Sequence, residues 1–144
     1  VLASATFNLT NCLQVYGQGV YGKGIGQFLN DMSMLNVDVV PNPEKEGKMQ
    51  VLPMMGWFAG MQYNFSPKVF ITSTYGQSRL YSHDGYPVTA SDQYRYGQYL
   101  NATLFWNITS DLQAGAEYLR GWRTDFNGDT RHANRVNLAV QYSF

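Results

Sequence analysis

The chain has 144 residues, of which 44% are hydrophobic and 15% aromatic, so it is long enough and apolar enough to fold as one domain. Ten Lys and Arg residues balance ten Asp and Glu residues, which argues against a protein that binds nucleic acid mainly through phosphates. The single cysteine, Cys12, excludes an intrachain disulfide framework and a cysteine-based zinc site. Charged residues make up only 14% of the chain, and its 11 tyrosines and 14 glycines are typical of β structure with an apolar exterior.

Alternation of apolar and polar residues, interrupted by turn residues, predicts an all-β chain. No uninterrupted apolar run is long enough for a transmembrane helix, and no linker marks a domain boundary. We therefore predict one domain over residues 1–144. The seven predicted strands cover residues 1–9, 13–23, 51–65, 69–81, 94–108, 112–124 and 131–144.

The connections between the predicted strands alternate in length. The short turns are at residues 10–11, 66–68 and 109–111, and the longer loops are at 24–50, 82–93 and 125–130. Short turns at one end and long loops at the other are typical of outer-membrane β-barrels. Two interpretations of the polar segment 26–48 stay open, because it could fold inward as a constriction or cap the mouth of a barrel.

Apolar residues occupy one face of the predicted strands and polar residues the other. In the last strand, Val136, Leu138 and Val140 alternate with Arg135 and Asn137. An ordinary half-buried antiparallel sheet would show the same alternation, with its polar face in bulk water. We predict instead a transmembrane antiparallel meander β-barrel, because aromatic residues also collect beside the short turns, as an interfacial girdle does. The residues of this girdle are Tyr63, Phe65, Trp106, Tyr142 and Phe144.

Two places depart from this simple pattern of faces. Gln77 and Arg79 share the parity of the outward residues Ile71 and Tyr75, which indicates either a strand end above the lipid or a bulge. Arg120 also has outward parity. Since an Arg in the middle of a bilayer costs about 2–4 kcal/mol, we expect Arg120 near the outer rim or at a subunit contact.

The last ten residues, R-V-N-L-A-V-Q-Y-S-F, resemble the C-terminal recognition signal of bacterial outer-membrane β-barrel proteins, a strand of alternating apolar residues that ends in Phe. Leu100–Gly121 and Ala133–Phe144 resemble the last three strands of DcaP-like trimeric porins, and N-F-S-P-K-V-F-I-T-S-T-Y resembles them more loosely. The resemblance implies a barrel of about 16 strands, an even number as in such barrels. It also implies a homotrimer, anionic or dicarboxylate solutes, and recognition of Phe144 by the barrel-assembly machinery.

Seven strands are fewer than half of such a barrel, and Val1 lies inside a predicted strand. We therefore expect residues 1–144 to be the C-terminal strands of a single β-barrel domain in a longer porin. The alternative architecture is a complete eight-stranded barrel with one unrecognised strand. Such a small barrel would be filled by side chains and would not conduct freely.

Arginine dominates the charged residues on the predicted polar face. By parity, these arginines point into the lumen, where guanidinium groups attract anions and can bind a carboxylate through paired hydrogen bonds. In the alternative interpretation, Glu117 pairs structurally with Arg123 or Arg135, and the rest of the barrel sets selectivity. The predicted pore-lining residues are Arg95, Arg123, Arg131, Arg135, Glu117, Asn101, Gln113 and Gln141.

These features predict a porin of the bacterial outer membrane, in contact with the lipid bilayer, that passively admits small hydrophilic solutes and favours anions. No cofactor, metal site, catalytic residue or nucleic-acid partner is predicted. The alternative function is a small closed outer-membrane barrel acting as a structural anchor or a membrane hydrolase. Ser82, His83 and Asp84 are adjacent, but neighbours on a strand alternate faces, so adjacency alone makes no triad.

Overall fold

The computed structural model describes residues 1–86 and 91–144, so residues 87–90 of the predicted loop 82–93 lie outside the described residues. The described residues form nine strands and a short 3-10 turn at Gly26–Phe28. The strands are β1 (Leu2–Asn8), β2 (Leu13–Lys23), β3 (Val39–Pro41), β4 (Met49–Val51), β5 (Pro53–Asn64), β6 (Val69–Leu80), β7 (Tyr94–Asn107), β8 (Leu112–Asp125) and β9 (Thr130–Tyr142).

Seven of these strands form one antiparallel sheet in the order β1-β2-β5-β6-β7-β8-β9. Each strand of this sheet pairs with the strand of the same sheet that follows it in sequence, so the sheet is a meander, with β3 and β4 inserted between β2 and β5. The prediction of an all-β antiparallel meander is confirmed, and all seven predicted strands are present with ends shifted by a few residues. Within the described ranges the sheet is not closed, because β1 and β9 each pair on one side only.

The long polar segment contains structure that the sequence pattern did not predict. Strands β3 and β4 form a separate hairpin in which Val39 pairs with Val51 and Pro41 with Met49. The predicted third strand therefore begins too early, since Val51 ends β4 and β5 begins at Pro53. Three-residue strands are too short to show a recognisable alternation.

The register identifies where the pleat is interrupted. β6 pairs without a break with both β5 and β7, so the predicted bulge in this strand is wrong, and Gln77 and Arg79 face outward. The register shift lies instead in β7, between Tyr94 and Tyr96, where Arg95 is the extra residue. At such a bulge two residues of one strand lie opposite a single residue of its partner. Counting alternate residues along β7 therefore does not give the face of Arg95.

Large apolar side chains cover the outward face of the sheet. Leu104, Ala116 and Leu138 lie in register across three neighbouring strands. Leu104 is 46% exposed and Trp106 is 52% exposed, although β7 has a paired strand on each side. A contiguous exposed patch of this kind is rare on proteins that face only water, so this face suits an apolar environment.

Aromatic residues border this apolar band at both ends. Near the short turns the Tyr63 and Phe65 rings lie 5.1 Å apart, and near the long loops the Tyr21 and Tyr81 rings lie 6.3 Å apart. Trp106, near the short turns, pairs with Ala114 on β8. Trp122 lies eight positions further along β8, a distance of about 26 Å along the strand. A strand tilt of about 35–45° would reduce this distance to a height of roughly 20 Å. The row near the long loops consists of Tyr21, Tyr81, Tyr96 and Trp122.

Glycines on the opposite face make room for aromatic rings. A Cβ atom at Gly60 would lie 2.6 Å from the Tyr16 ring and 2.7 Å from Thr74 Oγ1. The Tyr16 hydroxyl lies 3.0 Å from the Thr74 hydroxyl, so this side chain on β2 reaches across β5 to β6. The ring over Gly60 therefore links three strands, and a larger residue at position 60 would displace it.

The buried residues cluster at the long-loop end of the sheet. They come from the segment between β2 and β5 and from the adjoining ends of β5, β6 and β7: Leu29, Met32, Val37, Val40, Leu52, Met54, Leu80 and Tyr94. Among the described residues, no helix has the length and apolar content needed to cross a membrane. The same residues contain no cluster of three or more His, Cys, Asp or Glu side chains suited to a metal ion.

Candidate functional site on the polar face

The polar face of the sheet lines a hollow of about 1000 Å³. Its wall comes from β2 and from β5 to β9, with residues 28–31 of the long segment on the other side. Strand pairing places residues of inward parity in direct contact across the wall, for example Thr74 with Asn101 and Gly97 with Arg123. The hollow is therefore a partly open space between the sheet and the inserted segment, lined by both polar and apolar side chains.

The long segment folds inward over the polar face rather than only across the loop ends. Leu29 packs onto Gly56, which has no side chain to obstruct it. Met32 is 1% exposed and belongs to the cluster formed with Met54 and Leu80. The segment therefore folds inward, and its role as a constriction stays a prediction.

A polar contact ties the tip of this segment to the wall. The Ser78 hydroxyl donates a hydrogen bond to Asp31 Oδ2 at 2.7 Å. The Tyr94 hydroxyl donates to the Ser78 backbone carbonyl at 3.0 Å. Gly97 leaves the necessary space, because a Cβ atom there would lie 2.7 Å from the Tyr94 hydroxyl and 3.0 Å from Asp31 Oδ2. Ser78 and Tyr94 are buried and need hydrogen-bond partners, whereas Asp31 is exposed, so its bond to Ser78 helps to hold the segment against the wall.

Arginines line the part of the hollow formed by β8 and β9. Arg123 pairs with the buried Asp125, with Nε 2.7 Å from Oδ1. Arg131 lies directly opposite Arg123 in the register, and Arg135 lies opposite Leu119. Neither Arg131 nor Arg135 has a carboxylate within 4 Å among residues 1–86 and 91–144. On the inward face of β8 and β9 three arginines, Arg123, Arg131 and Arg135, outnumber Asp125 and Glu117, which leaves an excess of positive charge on this wall.

The Glu117 carboxylate accepts hydrogen bonds from three neutral side chains. Asn137 Nδ2 donates to its carboxylate at 2.6 Å, Asn101 Nδ2 at 3.1 Å and Thr103 Oγ1 at 3.2 Å. No ion pair between Glu117 and Arg123 or Arg135 occurs in the described residues, since Arg123 pairs with Asp125 instead.

The structure places most of the residues predicted to line a pore on the inward face, and three of them, Arg123, Arg131 and Arg135, border the hollow. Arg95 is the exception in position, because it lies in the bulge and its guanidinium carbon is 5.9 Å from the Tyr96 ring centre and 6.0 Å from that of Phe126. A role in lining a pore stays a prediction for the whole set. The residues found with inward parity are Arg123, Arg131, Arg135, Glu117, Asn101, Gln113 and Gln141.

Several residues of the hollow were missed from the sequence. Asp31, Ser78 and Tyr94 are far apart along the chain, and only the inward fold of the long segment brings them together. The one local signal was an Asn-Asp pair inside the apolar run around Leu29 and Met32. A polar pair in such a run is a candidate for a buried contact.

The adjacent Ser82, His83 and Asp84 do not form a catalytic arrangement in the structure. His83 Nδ1 lies 3.7 Å from Asp84 Oδ1, and its backbone pairs with Tyr86 in a tight turn. In the described residues the Ser82 hydroxyl has no hydrogen bond to His83, whereas a triad requires its nucleophile and base to be linked in this way.

Comparison with known proteins identifies a solved structure with a similar fold. No protein-family model and no curated protein matches the sequence. The chain is similar to the crystal structure of the outer membrane channel DcaP of Acinetobacter baumannii, with a TM-score of 0.81 and 20% sequence identity. The alignment covers 99% of this chain and 40% of the channel, so the chain spans less than half the length of that protein. The resemblance to a DcaP-like porin is confirmed at the level of the fold, and the seven-stranded meander has the architecture of a part of an outer membrane channel.

Proposed function

We propose that this chain is part of a porin of the bacterial outer membrane, whose polar face lines a passage for small hydrophilic solutes. The observation that carries the proposal is the two-sided sheet. Leu104 and its outward neighbours are exposed and apolar, whereas Arg123, Arg131 and Arg135 border a hollow on the opposite face. A sheet with lipid on one side and water on the other has this distribution.

The apolar band supports insertion in a bilayer. Its two aromatic rows are separated by roughly 20 Å in height, close to the apolar band of about 25 Å in outer-membrane barrels. Tyr and Trp are favoured at this depth because their rings are apolar and their hydroxyl or indole N–H groups reach water. Both rows therefore mark the lipid–water interfaces in this proposal.

A closed barrel requires strands beyond those described. β1 and β9 each have an unpaired edge in the described ranges, and the similar channel is about two and a half times as long as this chain. Unpaired backbone groups are unfavourable in hydrocarbon, so additional strands must complete the ring. The proposal includes a single barrel domain of about 16 strands, assembly through a final strand ending in Phe144, and a homotrimer.

The arginine wall supports a preference for anions, including small carboxylates. Arg131 and Arg135 carry charges with no carboxylate within 4 Å in the described part of the chain. Guanidinium groups in a confined polar space raise the local concentration of anions and can hold a carboxylate through two parallel hydrogen bonds. The inserted segment at residues 28–31 narrows the passage beside this wall. We propose no chemical step and no catalytic residue.

Single-channel recording of the full-length protein in a planar bilayer under a salt gradient tests this function. Large, steady current steps with a reversal potential directed towards anions are expected. Current steps without an anion-directed reversal potential would contradict the anion preference but would still support a porin. A well-folded protein that inserts and gives no steps would contradict the porin and favour a small closed barrel.

A further inference from the structure

Two arginines lie on the outward face of the sheet, away from the hollow. Arg79 is the penultimate residue of β6, and Arg120 has outward parity on β8. Each guanidinium packs on an aromatic ring near the long loops. The guanidinium carbon of Arg79 lies 5.1 Å from the centre of the Tyr81 ring, and that of Arg120 lies 5.1 Å from the centre of the Trp122 ring. Both cations are therefore held at the aromatic row rather than extended into water.

These two cations have no compensating charge. No Asp or Glu has outward parity on any of the seven strands of the described sheet, and neither Arg79 nor Arg120 forms an ion pair there. The Nε atoms of both side chains are buried and have no hydrogen-bond partner among the described residues. A buried donor without an acceptor is unfavourable, and the remaining guanidinium nitrogens of both side chains also lack a carboxylate partner in the described residues.

Other polar groups accompany the arginines on this part of the outward face. Gln98 Nε2 donates to the Tyr75 hydroxyl at 2.6 Å, and the Tyr118 hydroxyl donates to Asn134 at 2.8 Å. His132 lies opposite Trp122 in the register. The surface therefore changes from apolar to polar and basic as the strands approach the long loops, which is the depth of lipid headgroups in the proposed orientation.

We propose that Arg79 and Arg120 bind phosphate groups of a phosphate-bearing lipid in the leaflet at the long-loop end. The inference rests on the proposed membrane orientation. The two terminal NH2 groups of a guanidinium lie side by side and match two phosphate oxygens, and those of Arg79 and Arg120 have no carboxylate within 4 Å in the described residues. A second copy of the chain would have to supply a carboxylate at this position, and the outward faces of the described strands contain none.

Native mass spectrometry of the full-length protein, released from detergent, tests the proposal. The probe is lipid A with both phosphates, and the matched ligand is the same lipid with its phosphates removed. Wild-type protein should retain the phosphorylated lipid preferentially. The variant Arg79→Gln/Arg120→Gln should weaken that retention by roughly tenfold or more, since each basic residue near the surface contributes about a fivefold factor. Lys68→Gln, at the short turn of the opposite leaflet, should behave as wild type.

Equal retention of the two lipids by wild-type protein would overturn the proposal, as would retention by the double variant equal to that of wild type. Loss of the oligomer in the same spectra, with lipid retention unchanged, would assign this face to a protein contact and also overturn it. If the double variant fails to fold by circular dichroism, Arg79→Gln and Arg120→Gln are compared singly, each with a roughly fivefold loss. The conductance of the same wild-type preparation tests the porin function separately. A protein that conducts but shows no preference for the phosphorylated lipid would overturn the lipid-binding proposal and leave the porin proposal intact.

Discussion

Asp31 accepts a hydrogen bond from the Ser78 hydroxyl at 2.7 Å, although the two residues are 47 positions apart in the chain. Asp31 lies in the segment between β2 and β5, and Ser78 lies on the inward face of β6. This contact, together with Leu29 packed on Gly56, determines how far the segment extends into the hollow. In the proposed porin, the position of this segment sets the width of the passage.

Removing this contact is expected to widen the passage. Ser78→Ala leaves every charge unchanged but removes the donor to Asp31, so the segment should move and single-channel conductance should rise by roughly 1.5-fold or more, with more current noise. Ser73→Ala is the control, because Ser73 lies on the outward face of the same strand and donates to the Asn101 carbonyl. Equal conductance in wild type and Ser78→Ala would show that this contact does not set the width.

Neutralising the free arginines is expected to reduce the preference for anions. Arg131→Ser/Arg135→Ser removes two charges that lack ion-pair partners in the described chain, and the anion-to-cation permeability ratio should fall by roughly two- to fivefold. The ratio is measured from the reversal potential under a salt gradient. Arg95→Ser should have a smaller effect, because Arg95 packs near Tyr96 and Phe126 in the bulge. A reversal potential unchanged in the double variant would exclude these two residues as the source of selectivity.

A charge placed on the outward face should destabilise the barrel, whereas its inward neighbour should tolerate the same charge. Leu138→Arg puts a guanidinium in the apolar band and should lower the free energy of unfolding by about 2–4 kcal/mol. Ala139→Arg adds the same group on the polar face and should change it by less than about 1 kcal/mol. Denaturant unfolding of the full-length protein in lipid vesicles measures both. Similar losses in the two variants would contradict a lipid-facing outward side.

The ring of Tyr16 over Gly60 should make this glycine intolerant of larger residues. Gly60→Val places atoms within about 3 Å of the ring and of Thr74, and we expect a loss of about 1–3 kcal/mol in the free energy of unfolding. Gly121→Val is the control, because the nearest atom to a Cβ there is the Gln98 carbonyl oxygen at 3.8 Å. Denaturant titration compares the two variants. Equal stability would mean that the Tyr16 ring moves aside at little cost.

The seven main strands and their two faces could be predicted from the sequence. In β9, Val136 to Tyr142 alternate with Arg135 to Gln141, and because side chains on a strand alternate with a period of two, each residue's face follows from counting. The same counting placed Arg123 and Arg131 on the inward face. Counting could not place Arg95, because a bulge adds one residue to one strand and the local sequence Tyr-Arg-Tyr shows no sign of it.

The sequence by itself determined the meander, the apolar outward face and the excess of arginine on the inward face, because each depends on local alternation and on short turns. The tertiary structure alone decided that residues 28–31 enter the hollow, that Asp31 meets Ser78, and that Asp125 rather than Glu117 pairs with Arg123. These contacts join residues that are distant in the chain or compete for one partner. Their outcome depends on packing, burial and hydrogen-bond geometry in three dimensions, which no periodic pattern in the sequence records.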